Sequence, residues 1–344
     1  MLTLVGCLAA SGAALGAASS SQSESQASAT TAKAKSAQRV QGTVPARSAR
    51  AQSKRKVRGE RAPLRPSEGQ LAGLTHSGDP LQLKSHVALV VDQDTNEVLF
   101  EKNTHAVLPI ASITKLMTAL VTVEAGLPLD EELKVTSDEL VRAGIRSRLR
   151  PGVTLDRGTA LHLALMSSEN RAAQLLGRTY PGGLGAFVEA MNAKAQMLGM
   201  SDSHFVDPTG LSADNRSSAG DLVRLVKAAY EHEVIREFSV SEELDLPMGR
   251  RNVRYGNTNR LTASPDWEIG LQKTGYISAA GRCLVMQAVI EGKRVVMVLL
   301  DSVGKYSRIA DAQRIRDWLE SSGALTKAPA RAAESSAGDA ARPI

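Results

Sequence analysis

Cysteine is nearly absent from this chain of 344 residues: Cys7 and Cys283 are the only two. That excludes a disulfide framework and a cysteine-based metal site. Histidine offers no metal site either, since the six histidines never fall at His-Glu-x-x-His spacing. Aromatics make up only 3%, so a core must rest on Leu, Val, Ile, Met and Ala. None is interleaved with the basic run Lys54-Arg55-Lys56-Val57-Arg58 to stack on bases. Long apolar runs are missing too. Residues 2–18 are mostly alanine and glycine, too weakly apolar for a convincing membrane span. No Lys or Arg precedes them; the first basic residue is Lys33.

What is present is unevenly distributed. Residues 1–18 end in Gly16-Ala17-Ala18 followed by a serine run, as a signal peptide does, so export to a periplasm or cell wall is expected. With that leader removed, Cys283 would be the sole cysteine and could form no internal disulfide. Residues 19–80 show no hydrophobic periodicity and are dominated by Ser, Ala, Gln, Arg and Lys. They hold too little apolar surface to offset the entropy of ordering and read as a disordered basic tether. Much of the net charge of +6 lies there. Its cations suit a solvated linker or a weak contact with an anionic wall or membrane surface. Nucleic acid is not an expected partner of an exported protein. Residues 323–344 are Ala-rich and polar and read as a disordered tail. Folding is left to residues 81–322.

Within that span His86-Val87-Ala88-Leu89-Val90-Val91-Asp92 is β-rich, Asp94-Thr95-Asn96 supplies a turn, and the run from Glu97 to Glu101 returns, which predicts a hairpin. Helices are predicted from about residue 109, over about 159–176, 184–198 and 219–232, and at 311–321. Strand signals return at 245–247, 267–272, 282–289 and 294–300. Strands open and close the folded part and helices fill its middle. This order predicts an α+β domain: one antiparallel sheet flanked by helices, with a helical subdomain inserted after the first hairpin.

The chemistry concentrates in three short motifs. In Pro109-Ile110-Ala111-Ser112-Ile113-Thr114-Lys115-Leu116-Met117, apolar residues recur at helical spacing, and Ser112 and Lys115, three apart, share a face. A serine hydroxyl is a poor nucleophile until a base takes its proton. A lysine in a dry pocket loses enough basicity to serve as that base. A helix start adds free N–H groups and a positive dipole end, which favour developing negative charge. Ser-x-x-Lys recurs at Ser53 and at Ser302, but only Ser112 has an apolar helix behind it. Ser168-Glu169-Asn170 offers a hydroxyl for a proton relay and a carboxamide for a substrate amide, or is an ordinary polar break in a helix. Lys273-Thr274-Gly275 follows an apolar strand, from whose edge a cation and a hydroxyl would suit a carboxylate. Gly275 would admit a substrate backbone there. The plain alternative is a strand end with a turn glycine.

Ser-x-x-Lys, Ser-x-Asn and Lys-Thr-Gly, in that order, are the motif set of penicillin-binding proteins and class A β-lactamases. The chain resembles the low-molecular-mass penicillin-binding proteins, the serine D-Ala-D-Ala peptidases, over about residues 81–321. Asp207-Pro208-Thr209-Gly210-Leu211, Asn257-Thr258-Asn259-Arg260-Leu261 and Lys273-Thr274-Gly275-Tyr276 narrow the match. Together with Glu169 and Ala279-Ala280-Gly281-Arg282-Cys283, they look most like the penicillin-binding protein 7 type, a D-alanyl-D-alanine endopeptidase. The resemblance implies a β-lactamase/transpeptidase-like fold and a hydrolase of D-Ala-containing peptidoglycan peptides that forms covalent β-lactam adducts. It implies Ser112 as nucleophile and Lys115 as general base, with Ser168 and Asn170 in proton transfer and substrate placement. Lys273, Thr274 and Gly275 would bind substrate, and the backbone N–H groups of Ser112 and Tyr276 would form an oxyanion hole. It implies no metal or other cofactor.

Three rival readings remain. D-Ala-D-Ala carboxypeptidases often carry a second β domain and an amphipathic C-terminal anchor; residues 323–344 have no apolar face, which favours the endopeptidase form. A class A-like β-lactamase needs a glutamate to hold a deacylating water. Glu189 is the available one and reads as an exposed helix residue. A catalytically silent wall-binding module would not need all three motifs intact.

Overall fold

The computed structural model describes residues 65–76, 78–139, 147–249 and 251–325. The expected leader, the tether up to residue 64 and the tail after residue 325 lie outside the described residues.

The chain opens with a single helical turn, α1 (Glu68–Leu71), followed by the hairpin β1 (Ser85–Asp92) and β2 (Val98–Lys102). A short strand β3 (Leu108–Pro109) leads through a tight turn, Ala111–Ile113, into α2 (Thr114–Glu124). Next come β4 (Glu132–Lys134), β5 (Thr154–Asp156), α3 (Arg157–Met166), α4 (Asn170–Arg178) and α5 (Gly183–Met197). Then follow β6 (Arg216–Ser217), α6 (Ala219–Tyr230), α7 (Glu233–Val240) and the hairpin β7 (Glu243–Met248) and β8 (Arg251–Gly256). Three long strands, β9 (Glu268–Ile277), β10 (Gly281–Ile290) and β11 (Lys293–Ser302), and α8 (Ser307–Ser322) close the described chain.

The main sheet is antiparallel with strand order β2-β1-β11-β10-β9. Side chains alternate across it, and both faces are covered. Val87, Leu89 and Val91 of β1, with Val296, Val298 and Leu300 of β11, join α2 to α6 in one core. Ala88 and Val90, with Val295, Met297 and Leu299, join Ala312, Ile315 and Leu319 of α8 in a second. Double coverage explains why β1 reads as an unbroken apolar run rather than an alternating one. α2 runs through the first core with Thr114 to Thr122 all buried, as a helix enclosed on all sides must.

This is the expected α+β arrangement, with four local differences. The helix predicted over 159–176 is two helices, interrupted at Ser167, Ser168 and Glu169; the Glu169 side chain caps α4 by accepting from Arg171 N. α7 and β8 carry no signal strong enough to have been predicted. Lys273-Thr274-Gly275 lies inside β9, not after it. The ordered chain also begins before residue 81. Ser67 caps α1 in a capping box, and its hydroxyl donates to Asp301 Oδ2 at 2.7 Å. His86 Nδ1 reaches the same oxygen at 2.8 Å, and Glu68 N donates to Ala279 O at 2.9 Å. At the other end Leu325 is buried, so order continues past residue 322.

Candidate active site

Ser112 sits in the turn that opens α2, after Ala111, whose φ of +49° is left-handed. Non-glycine residues hold that conformation only when their surroundings impose it, at about 1–3 kcal/mol. Here two glycines press on the turn. A Cβ on Gly210 would lie 1.9 Å from Ala111 O and 2.9 Å from Ser112 N. A Cβ on Gly275 would lie 2.9 Å from Ile110 O and 3.1 Å from Ser112 N. The space that Gly275 leaves is therefore filled by the chain's own backbone, and the contact brings the edge strand β9 against the Ser112 amide.

Lys115 is fully buried one turn later. Its Nζ lies 2.9 Å from Ser112 Oγ, 2.7 Å from Asn170 Oδ1 and 2.6 Å from Thr209 O. Burial lowers its pKa to about 7, against partial opposition from Asp207 and Glu169. A neutral amine has two N–H donors and one lone pair. Thr209 O and Asn170 Oδ1 can only accept, so they take the two donors. The lone pair is left for the neighbour that can donate, the Ser112 hydroxyl. A neutral amine so placed can take the proton of the serine hydroxyl.

The loop that supplies Thr209 O is organised by one carboxylate. Asp207 Oδ1 accepts from Thr209 N at 2.6 Å, Thr209 Oγ1 at 2.6 Å and Gly210 N at 2.7 Å. Thr118, one turn after Lys115, donates to Pro208 O at 2.7 Å. α2 thus holds consecutive carbonyls of this loop. The motif Asp207-Pro208-Thr209-Gly210-Leu211 was legible as a match, but the role of the Thr209 carbonyl was not, because backbone leaves no residue-type signal.

Ser168 and Asn170 come from the break between α3 and α4. Ser168 has a φ of +59° and lines an open cavity of about 520 Å³, shared with Asn170. Its hydroxyl makes no hydrogen bond to the described residues; Asn170, not Ser168, touches Lys115. On β9, Lys273 does not project from the sheet edge. It is fully buried, and Nζ donates to Thr274 O at 3.0 Å. Its pKa is lowered well below the ordinary value, by burial first and then by Lys115 and Arg308. Thr274 Oγ1 donates to Thr258 Oγ1 at 2.7 Å, and Thr258 N donates to Met166 O at 3.2 Å. The Asn257-Thr258-Asn259 segment therefore ties β9 to the end of α3. Tyr276 is 46% exposed and leaves its backbone one residue beyond Gly275.

Arg308, at the start of α8, was missed in the sequence. It is 9% exposed, and its Nε and Nη1 have no hydrogen-bond partner among the described residues. A buried guanidinium left so is costly unless an anion pairs with it. Glu189 is an exposed residue of α5, as expected. Among the described residues no cluster of His, Cys, Asp or Glu could hold a metal ion.

The family model for D-alanyl-D-alanine carboxypeptidase, peptidase S11, matches residues 74–304. The chain belongs to this family. It is similar to a D-alanyl-D-alanine endopeptidase of Pseudomonas aeruginosa, 48% identical over 74% of this chain and 84% of that one. A D-alanyl-D-alanine endopeptidase of Escherichia coli is 45% identical over 76% of this chain and 84% of that one. Among solved structures, ampicillin-bound penicillin-binding protein D2 of Listeria monocytogenes has a TM-score of 0.62 at 29% identity, covering 70% of this chain and 98% of that one. A D-alanyl-D-alanine carboxypeptidase of Mycobacterium tuberculosis has a TM-score of 0.65 at 25% identity, covering 74% and 96%.

Two outcomes are expected. Only the neutral form of Lys115 can take the serine proton, so the rate of acylation by a penicillin rises with pH through a midpoint near 7 and then levels off; stopped-flow acylation across pH checks this. Gly210→Ala forces a Cβ into the Ala111 carbonyl and displaces the nucleophile. Acylation on the folded variant falls by about 100-fold, the scale of an ångström-sized misplacement.

Proposed function

We propose that this chain is an exported serine peptidase that cleaves cross-links between D-Ala-containing peptidoglycan peptides, a D-alanyl-D-alanine endopeptidase acting through an acyl-enzyme on Ser112. The observation that carries the reaction class is the Lys115 Nζ at 2.9 Å from Ser112 Oγ, with both other neighbours obligate acceptors. The bond preference is supported by the two relatives at 48% and 45% identity, both named endopeptidases.

Lys115 takes the Ser112 proton as Oγ attacks the D-alanyl carbonyl. The oxyanion forms between the N–H groups of Ser112 and Tyr276, donors worth roughly 3 kcal/mol each in acyl transfer. The proton taken up by Lys115 passes on through the Ser168 hydroxyl, which makes no hydrogen bond to the described residues, to the departing nitrogen; the second strand leaves, and Lys115 is neutral again. Water then attacks the acyl-enzyme with Lys115 as base, and free Ser112 is restored. Thr274 and Arg308 meet the carboxylate beside the scissile bond. Lys273 acts from beneath the strand: a bound carboxylate favours its protonation, and a charged Lys273 in turn favours a neutral Lys115, since two buried ammonium groups in one site resist ionising together.

Intact mass after incubation with a penicillin tests the nucleophile. The parent gains one long-lived adduct, and Ser112→Ala gains none; rapid turnover of the drug would point to a β-lactamase instead. Digestion of cross-linked muropeptides then reads the bond. Loss of dimers is the expected result, and release of free D-Ala alone would make the enzyme a carboxypeptidase.

A further inference from the structure

The acylation chemistry leaves one basic cavity next to the site unused. It measures about 490 Å³ and lies between the β9–β10 turn, the segment that leads into α1, and the β11–α8 connection. We propose that this cavity is the subsite for the anionic leaving strand of a peptide cross-link, held by Arg65, Arg282 and Lys305. The proposal rests on the endopeptidase reading and deepens it.

Its position follows from strand alternation. Lys273 and Gly275 face the α2 side of β9, where one is fully buried and the other meets the Ser112 turn. Thr274 and Tyr276 therefore face the opposite side. Arg282 pairs with Tyr276 across the ladder, and its guanidinium lies 4.4 Å over the Tyr276 ring. Arg308 is close enough to Lys273 and Arg282 to bear on both: it lowers the basicity of Lys273, and Arg282 lowers its own. So the carboxylate-side groups Thr274 and Arg308 share a face with the cavity that Tyr276 and Arg282 line. When Ser112 attacks, the acyl half stays on the serine and the half bearing the adjacent carboxylate departs. The cavity lies on the departing side.

Its charge and size suit a strand rather than a single amino acid. Of the charged residues lining it, Arg65, Arg282 and Lys305 are cationic. The one carboxylate, Asp301, accepts from Ser67 and contacts His86. Next to Lys305 the Tyr306 phenol is held below its ordinary pKa by Lys305 first, then Arg260 and Arg282. The leaving strand of a cross-link carries its own carboxylates and needs a peptide-sized volume; a free D-Ala leaving group would reach almost none of it. One wall, Arg65, Ser67 and Gln70, precedes the span 74–304 that the family model matches, and another, Lys305, follows it. The first wall is fixed by the Ser67–Asp301 bond and by the Glu68–Arg216 ion pair at 2.6 Å.

The test compares the full-length parent with Lys305→Glu and Arg65→Glu on three reactants: a purified cross-linked muropeptide dimer, a short peptide ending in D-Ala-D-Ala, and a penicillin. Each reversal raises KM for the dimer by about tenfold at low salt and less at high salt, with kcat within about twofold. Penicillin acylation and short-peptide cleavage stay at the parent rate. Equal dimer kinetics in parent and variants overturn the subsite while leaving the endopeptidase reading intact. So does a loss shared equally by dimer and short peptide, which marks a structural effect. A parent that is acylated by penicillin but leaves the dimer uncut overturns the endopeptidase reading, and the subsite with it.

Discussion

The structure turns on one desolvated amine. Lys115 is enclosed without an ion-pair partner among the described residues: its hydrogen-bond partners are the Ser112 hydroxyl, the Asn170 carbonyl and the Thr209 carbonyl. The two carboxylates that bear on it direct oxygens to backbone N–H groups instead, Asp207 within its own loop and Glu169 at the start of α4. Hydrogen bonds satisfy the amine in either protonation state, while no adjacent carboxylate holds the proton in place. Burial then decides the balance and weakens the base to where it can exchange protons with a serine near neutral pH. A direct salt bridge at this position would stabilise the ammonium and remove the base.

That amine requires rigid surroundings, and much of the fold provides them. α2 is buried along nearly its whole length, so it cannot shift relative to the sheet. Ala111 and Ser168, on either side of the site, are both held at left-handed φ. The first is pinned by backbone contact from Gly210 and Gly275, and the second sits where α3 ends and α4 is capped by Glu169. Strain of this kind persists only where the surroundings over-determine it. Here they include the Asp207 loop, the β9 edge and the Thr258 link to Met166.

Ser112, Lys115, Asn170 and Lys273 stood out in the sequence because they are side chains in short, ordered motifs. The first hairpin, the sheet and most of the helices were legible from periodicity, and the unbroken apolar run of β1 reflects burial on both faces. Other features left weaker traces. The break at Ser168 falls inside a run that is helical by composition, and only the tertiary position of Glu169 and Asn170 splits it. Lys273 looked like an edge cation because its motif follows apolar residues; its burial depends on the packing of α7 and the Ala111–Ile113 turn across β9. Gly275 looked like room for substrate and is filled by the nucleophile's own turn. Arg308 stands alone in a helix start thirty-five positions after Lys273, where nothing in local pattern connects the two. α1 was hidden by the basic composition of the segment before it, since its order comes from Asp301 and Ala279, far along the chain.

The central claim is that Lys115 is neutral for a large fraction of the time near pH 7 in the resting enzyme. Titration of the protein labelled with carbon-13 at the lysine ε position follows that state directly, with Lys115→Met assigning its resonance. The account predicts a Lys115 signal that titrates with a midpoint near 7. A Lys115 signal that titrates near the ordinary lysine value of 10.5 would contradict it, because the group would then be a fixed cation and could not take the serine's proton.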